Sequence, residues 1–219
     1  MFKLYSYFRS SAAFRVRIAL NWKGLGYDYL PIHLLRGGGE QLTPEYRALN
    51  PDGLVPTFVD DSITPSDPLQ QSLAIIEYLE ETHPSPPLLP ASALDRAYVR
   101  SIALQIACEI HPLNNLRVLR YLKHELHAED AQRDAWYQHW ISQGFAALEQ
   151  RLSKDRRTGE YVFGDTPTVA DVCLVPQVFN ARRFKCDLGA YPKLIRIADR
   201  AAEIDAFARA APERQPDAK

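Results

Sequence analysis

Two adjacent hydroxyls, Ser10 and Ser11, stand in the run Tyr5-Ser6-Tyr7-Phe8-Arg9-Ser10-Ser11-Ala12-Ala13-Phe14-Arg15-Val16-Arg17-Ile18, where a strand gives way to a helix. A helix start has unpaired backbone N–H groups and a partial positive charge, worth about 0.3–1 kcal/mol to a nearby anion. A bound thiol placed there ionises more easily. Lowering its pKa by about two units from near 8.5 takes about 2.7 kcal/mol, which one serine hydroxyl and one helix terminus together could supply. Taken alone, either serine is first of all an N-cap. Val55-Pro56 follows the turn Asn50-Pro51-Asp52-Gly53. A cis proline there leaves the backbone groups of Val55 open to a peptide ligand, and an ordinary strand-entry proline fits the residue types equally well. Gln71-Ser72 joins an amide and a hydroxyl to exposed helix N–H groups, which suits a carboxylate, although capping again suffices.

These residues need elements to hold them. Phe2 to Tyr7 reads as a strand, and Phe14, Ile18 and Trp22 recur at i+4 as a helix that ends near Gly24 and Gly26. Tyr27, Tyr29 and Ile32 suggest a second strand, followed by a Gly37-Gly38-Gly39 loop and a short helix from Pro44 to Leu49. Leu54 to Val59 reads as a strand with a hairpin partner at Ile63, and Ser72 opens a helix through Glu81. The order β-α-β-α-β-β-α fits a thioredoxin-like α/β layer. Beyond the proline-rich stretch from His83 to Pro90, the runs Tyr98–Leu122 and Ala131–Leu152 are apolar-periodic and lack strand alternation, so an all-α bundle follows. The expected division is 1–83 for the α/β domain, 84–90 for a linker and 91–219 for the helices.

Composition narrows the function. The 219 residues carry 26 Lys+Arg and 27 Asp+Glu, a formal net charge of -1, which gives no field to gather a nucleic acid. Affinity for anions must then come from a few placed arginines. No apolar run is long enough to span a bilayer and the first residues lack signal-peptide order, so the expected location is the cytoplasm. Cys108, Cys173 and Cys186 are odd in number and widely spaced, and read as reduced and mostly packing residues, without a disulfide or a metal site. His124-Glu125-Leu126-His127 is one residue short of a zinc-protease motif, and the glycine run matches no phosphate loop. Thr168 and Asp171 form a helix capping pattern.

The same segments resemble the zeta-class glutathione transferases, the family of the maleylacetoacetate and maleylpyruvate isomerases. The resemblance extends from the Ser10-Ser11 run and Arg15-Val16-Arg17-Ile18-Ala19-Leu20 through Ala48-Leu49-Asn50-Pro51, Gln71-Ser72-Leu73-Ala74-Ile75-Ile76 and Ala170-Asp171-Val172-Cys173-Leu174 to Gln215-Pro216-Asp217. It implies the glutathione transferase fold, a thioredoxin-like N-terminal domain plus an all-α C-terminal domain that shapes the substrate pocket. Glutathione is the implied cofactor and a homodimer the implied assembly. One departure stands out: the family usually has cysteine after the two serines, and this chain has Ala12.

Carried over by position, the resemblance implies that Ser10 and Ser11 approach the glutathione sulfur, that Val55 pairs with its backbone, and that Gln71 and Ser72 hold its γ-glutamyl end. Gln41 is implied at the glycyl end, with His111, Asn115 and Arg117 contributed by the helical domain. Arg9, Arg15 and Arg183 are the cations expected near substrate carboxylates, because guanidinium forks match carboxylates in bidentate pairs. Arg15 could equally support the serine loop. The implied reaction is the cis–trans isomerisation of a small dianionic maleyl keto acid, with a conjugating transferase or a non-catalytic glutathione-binding module as rivals.

Overall fold

The computed structural model describes residues 1–63 and 67–218, and the chain divides into two compact units. One is Met1–Leu88 with the C-terminal stretch from Ile204, and the other is Leu89–Glu203.

In the first unit, β1 (Phe2–Ser6) pairs in parallel with β2 (Tyr27–Pro31) and antiparallel with β3 (Thr57–Asp60), which in turn pairs with β4 (Leu69–Gln70). The strand order is β2-β1-β3-β4. Helix α1 (Ser11–Trp22) packs on α3 (Ser72–Thr82), and the buried Leu4, Ile18, Leu20, Phe58, Ile75, Ile76 and Leu79 form the core between sheet and helices. The short helix α2 (Pro44–Leu49) starts as its sequence predicts, with Thr43 as cap and Pro44 in the first turn.

Several boundaries differ from the sequence expectation. The third strand starts at Thr57 instead of Leu54, because the Leu54 carbonyl is taken by the Tyr46 hydroxyl at 2.6 Å and the Asn50 amide at 2.9 Å. Its hairpin partner is Leu69–Gln70 and not Ile63, whose N–H turns back to the Asp60 carbonyl. Asp60 also accepts from the N–H and hydroxyl of Ser62 and from the Tyr78 hydroxyl, which closes a turn where a strand was expected.

The C-terminal stretch belongs with the α/β unit and not with the helices of the 91–219 expectation. Helix α9 (Asp205–Ala210) packs along α1, and its Ala210 carbonyl accepts from the Arg17 guanidinium at 3.0 Å. Most of the proline-rich linker is likewise fixed to the first unit. Lys23 Nζ meets Glu80 Oε1 at 2.5 Å and donates to the carbonyls of His83 and Pro86, while the Leu88 N–H donates to Glu80.

The helical unit contains α4 (Ala93–Leu104), α5 (Leu116–His124), α6 (Asp130–Lys154), α7 (Val169–Arg183) and α8 (Pro192–Ala202). The expected continuous run Tyr98–Leu122 is broken. A π-helical turn spans Gln105–Ile110, and a 3-10 turn at Pro112–Asn114 then leads to Asn115, which caps α5. Proline has no N–H for a continuing helix, so the break falls there. Helix α6 buries Tyr137, Ile141, Phe145, Leu148 and Leu152 at helical spacing, and α7 is buried along nearly its whole length.

Thr168 and Asp171 form the capping box of α7. Asp171 accepts from the N–H groups of Val162 and Thr168, each at 2.8 Å, and complete burial still raises its pKa to about 6. Of the cysteines, Cys173 is buried and Cys186 partly so, but Cys108 is exposed and is not a packing residue. Among the described residues, no group of His, Cys, Asp or Glu could hold a metal ion, and no helix is long and apolar enough to cross a membrane.

Candidate functional site

Ser10 is the N-cap of α1, and its hydroxyl oxygen accepts from the Ala13 N–H at 3.2 Å. Accepting leaves the hydroxyl proton free to be donated, so the cap and a thiolate donor are compatible roles for one side chain. Ser11, the first residue of the helix, is buried. The turn that presents them is tied together by a bond from the Ser10 N–H to the Tyr7 carbonyl at 2.9 Å.

Beneath this turn lies a residue that the sequence did not single out. Arg17 is fully buried; it donates through Nη1 to the Ser6 hydroxyl and the Tyr7 carbonyl, and through Nη2 to the Phe8 carbonyl. Burial lowers its pKa to about 10, against the opposing influence of Tyr29, Tyr27 and Asp217, so it stays charged at neutral pH. Only its place in the Arg15-Val16-Arg17 run of an otherwise apolar helix could have signalled a buried role.

The Val55–Pro56 peptide is cis. Its loop is held from within by Tyr46, whose hydroxyl reaches the Leu54 carbonyl and lies 2.9 Å from the Thr57 hydroxyl. Burial pushes the Tyr46 phenol up to about 12, so it remains a neutral donor. Val55, Tyr46 and Tyr7 pack as one buried cluster with Phe8, which joins this loop to the serine turn. Gln41 is buried, and its Oε1 has no hydrogen-bond partner. Its amide lies over Gly39, where an added Cβ would come within 2.6 Å of Nε2. Gly39 also has φ +122, a backbone conformation that favours glycine.

Gln71 precedes α3 with φ 67, and its exposed side chain makes no capping bond. A non-glycine residue held at positive φ stores about 1–3 kcal/mol, a feature that clusters at ligand sites. Ser72 is buried, and its hydroxyl accepts from Arg15 Nη1 at 3.3 Å, so the starts of α1 and α3 are joined through a buried guanidinium. Arg9 stands on the serine turn, donates to the Tyr7 hydroxyl at 2.8 Å and lies over the Phe8 ring at 4.9 Å. Two links thus join expected residues of the first unit: the serine turn to Val55 through the aromatic cluster, and α1 to Ser72 through Arg15.

In the helical unit, His111 ends the π-helical turn, and its N–H donates to the Ile106 carbonyl. Asn115 caps α5 by accepting from the Arg117 N–H at 3.1 Å, and Arg117 itself is exposed. Arg183 closes α7, exposed, with its guanidinium 4.9 Å from the Phe184 ring centroid. That ring stacks on Tyr137 at 3.5 Å, which fixes the end of the helix.

The first unit therefore offers a hydroxyl donor at a helix N-terminus, an unpartnered buried amide oxygen at Gln41 and an amide at Gln71 that is not used for capping. Together, a hydroxyl donor for a thiolate, an acceptor at Gln41 for a peptide N–H and a side-chain amide at Gln71 fit a thiol-bearing peptide. Residues 4–87 match the family model for the glutathione S-transferase N-terminal domain and residues 130–212 the model for the C-terminal domain. A probable maleylacetoacetate isomerase of Vibrio cholerae is 51% identical over 98% of this chain and 97% of its own. A solved holo structure of maleylpyruvate isomerase, a bacterial zeta-class enzyme, has a TM-score of 0.93 at 50% identity and covers 98% of this chain and 99% of that one. Maleylacetoacetate isomerase from Methylobacterium extorquens, solved with bound malonate and glutathione, has a TM-score of 0.94 at 40% identity, with 99% of each chain covered. With both halves matched and identity sustained along the whole length, this chain belongs to the zeta class of the glutathione S-transferase family.

Proposed function

We propose that this chain is a glutathione-dependent cis–trans isomerase of a maleyl keto acid, with Ser10 as the hydroxyl that meets the cofactor sulfur. The observation that carries the role of Ser10 is its placement as the α1 cap with a hydroxyl proton left to donate. Bound glutathione supplies a thiolate that adds to the activated double bond and leaves again, so that the bond is single and free to rotate in between. Ser10 and the N–H groups at the start of α1 favour the charged sulfur. Gln71 and Ser72 hold the γ-glutamyl end, the backbone of Val55 pairs with the peptide, and Gln41 serves the glycyl end. Ser11 lines the same helix start.

Arg15 holds Ser72 in place. Arg9 and Arg183 take the substrate carboxylates and stabilise the negative charge that develops on the carbonyl side. His111, Asn115 and Arg117 are the helical unit's contribution to the cofactor. Homodimeric assembly and a cytoplasmic location complete the proposal.

Ultraviolet assays of maleylpyruvate and maleylacetoacetate, each with and without glutathione, test this function. Fumaryl product should form only with glutathione present, and all of the glutathione should be recovered. Stoichiometric loss of glutathione would identify a conjugating transferase instead. Binding of glutathione without isomerisation of either acid would leave only a binding module.

A further inference from the structure

Asp217 lies in the C-terminal tail, 209 positions from Phe8 in sequence, and its Oδ2 accepts from the Phe8 N–H at 3.1 Å. Its Oδ1 accepts from the Tyr29 hydroxyl on β2 at 2.6 Å. Arg17 donates to the Phe8 carbonyl at 2.9 Å, so both backbone polar groups of Phe8 are held, one by the tail carboxylate and one by a buried guanidinium. Only Arg9 separates Phe8 from Ser10, whose own N–H closes the turn on Tyr7. The tail is itself anchored, because the Gln215 amide donates to the carbonyls of Arg209 and Ala211 at 2.8 and 2.9 Å.

We propose that Asp217 is a positioning residue for isomerisation: by clamping Phe8 from the tail, it fixes where the Ser10 hydroxyl stands. The inference rests on the role given to Ser10 above. The carboxylate suits the task because each of its two oxygens accepts one hydrogen bond, from the Phe8 N–H and from the Tyr29 hydroxyl. The tail touches neither substrate nor cofactor in this scheme and acts only through the turn.

The test measures thiol ionisation in the glutathione complex by ultraviolet thiolate absorbance, together with kcat and the KM for glutathione, in Asp217→Ala, Asp217→Asn and Ser10→Ala. Asp217→Ala should raise the ionisation midpoint by about half a unit and lower kcat about tenfold, short of the roughly hundredfold that a 1 Å misplacement can cost. Asp217→Asn can keep one oxygen on the Phe8 N–H while its amide donates to Tyr29, and should recover most of both.

A merely structural tail would lower the melting temperature of Asp217→Ala while leaving thiol ionisation and kcat at the parent values well below melting; that result overturns the proposal. If Asp217→Ala does not fold, Asp217→Glu keeps the charge but displaces the oxygens, and the same comparison applies to it. A shift in Ser10→Ala without one at Asp217 refutes the tail's role alone, and no shift in Ser10→Ala refutes the role of Ser10.

Discussion

A side chain that caps a helix can also be a catalytic donor, because a hydroxyl accepts and donates through different atoms. Ser10 shows why residue type alone left cap and catalyst undivided: both readings describe the same placement. Two substitutions separate them. Ser10→Ala removes the cap, at about 1 kcal/mol, as well as the donor. Ser10→Asp retains an N-cap of equal quality but sets a negative charge against the sulfur. Denaturant melts should show Ser10→Asp near parent stability while kcat falls at least as far as in Ser10→Ala; parent-like turnover in Ser10→Asp would remove the donor role. Gln71 is the opposite case, since nothing in its residue type announces φ 67. Gln71→Gly relieves that strain and should stabilise the protein by about 1 kcal/mol while raising the KM for glutathione. Urea midpoints and glutathione titrations check the two halves of this prediction.

At the scale of elements, α1 and α3 were legible because their apolar spacing and their starting residues agree. The start of β3 and the break after α4 were not, because tertiary hydrogen bonds and Pro112 overrode hydrophobic runs that looked continuous. The end of α1 holds the linker by a device that the sequence also concealed. Lys23 has a fully buried side chain, pairs with Glu80 and gathers the carbonyls of His83 and Pro86. Lys23→Met leaves Glu80 charged and short of its partner, and removal of one member of such a buried pair costs about 3–5 kcal/mol. The double variant Lys23→Met with Glu80→Leu should recover part of that loss in urea unfolding. No recovery would mean that the carbonyl bonds, and not the ion pair, carry the stability.

For the whole molecule, Asp155 and Asp171 of the helical unit bear on stability in acid with opposite signs. Hydrogen bonds from Arg157 hold the Asp155 carboxyl well below the usual carboxylate range. A depressed folded-state pKa stabilises the native state above the unfolded value near 3.9, and that contribution is lost as pH falls below it. Buried Asp171, whose pKa is raised to about 6, gains stability over the same range and opposes that loss. The parent's urea midpoint, relative to that of Asp155→Asn, should therefore fall as pH goes from about 5 to about 3; an unchanged difference would exclude the Asp155–Arg157 pair as a cause. The sequence by itself determined the α/β and helical halves and marked Ser10, Val55, Gln71 and Ser72 as residues at the ends of elements, because spacing, capping types and turn signals are local properties of the chain. Only the tertiary structure decided that the last residues belong with the first unit, and that Arg17 and Asp217 hold the serine turn. The reason is physical: a hydrogen bond between residues 209 positions apart leaves no periodicity to read, and a buried arginine is known only from the carbonyls that surround it.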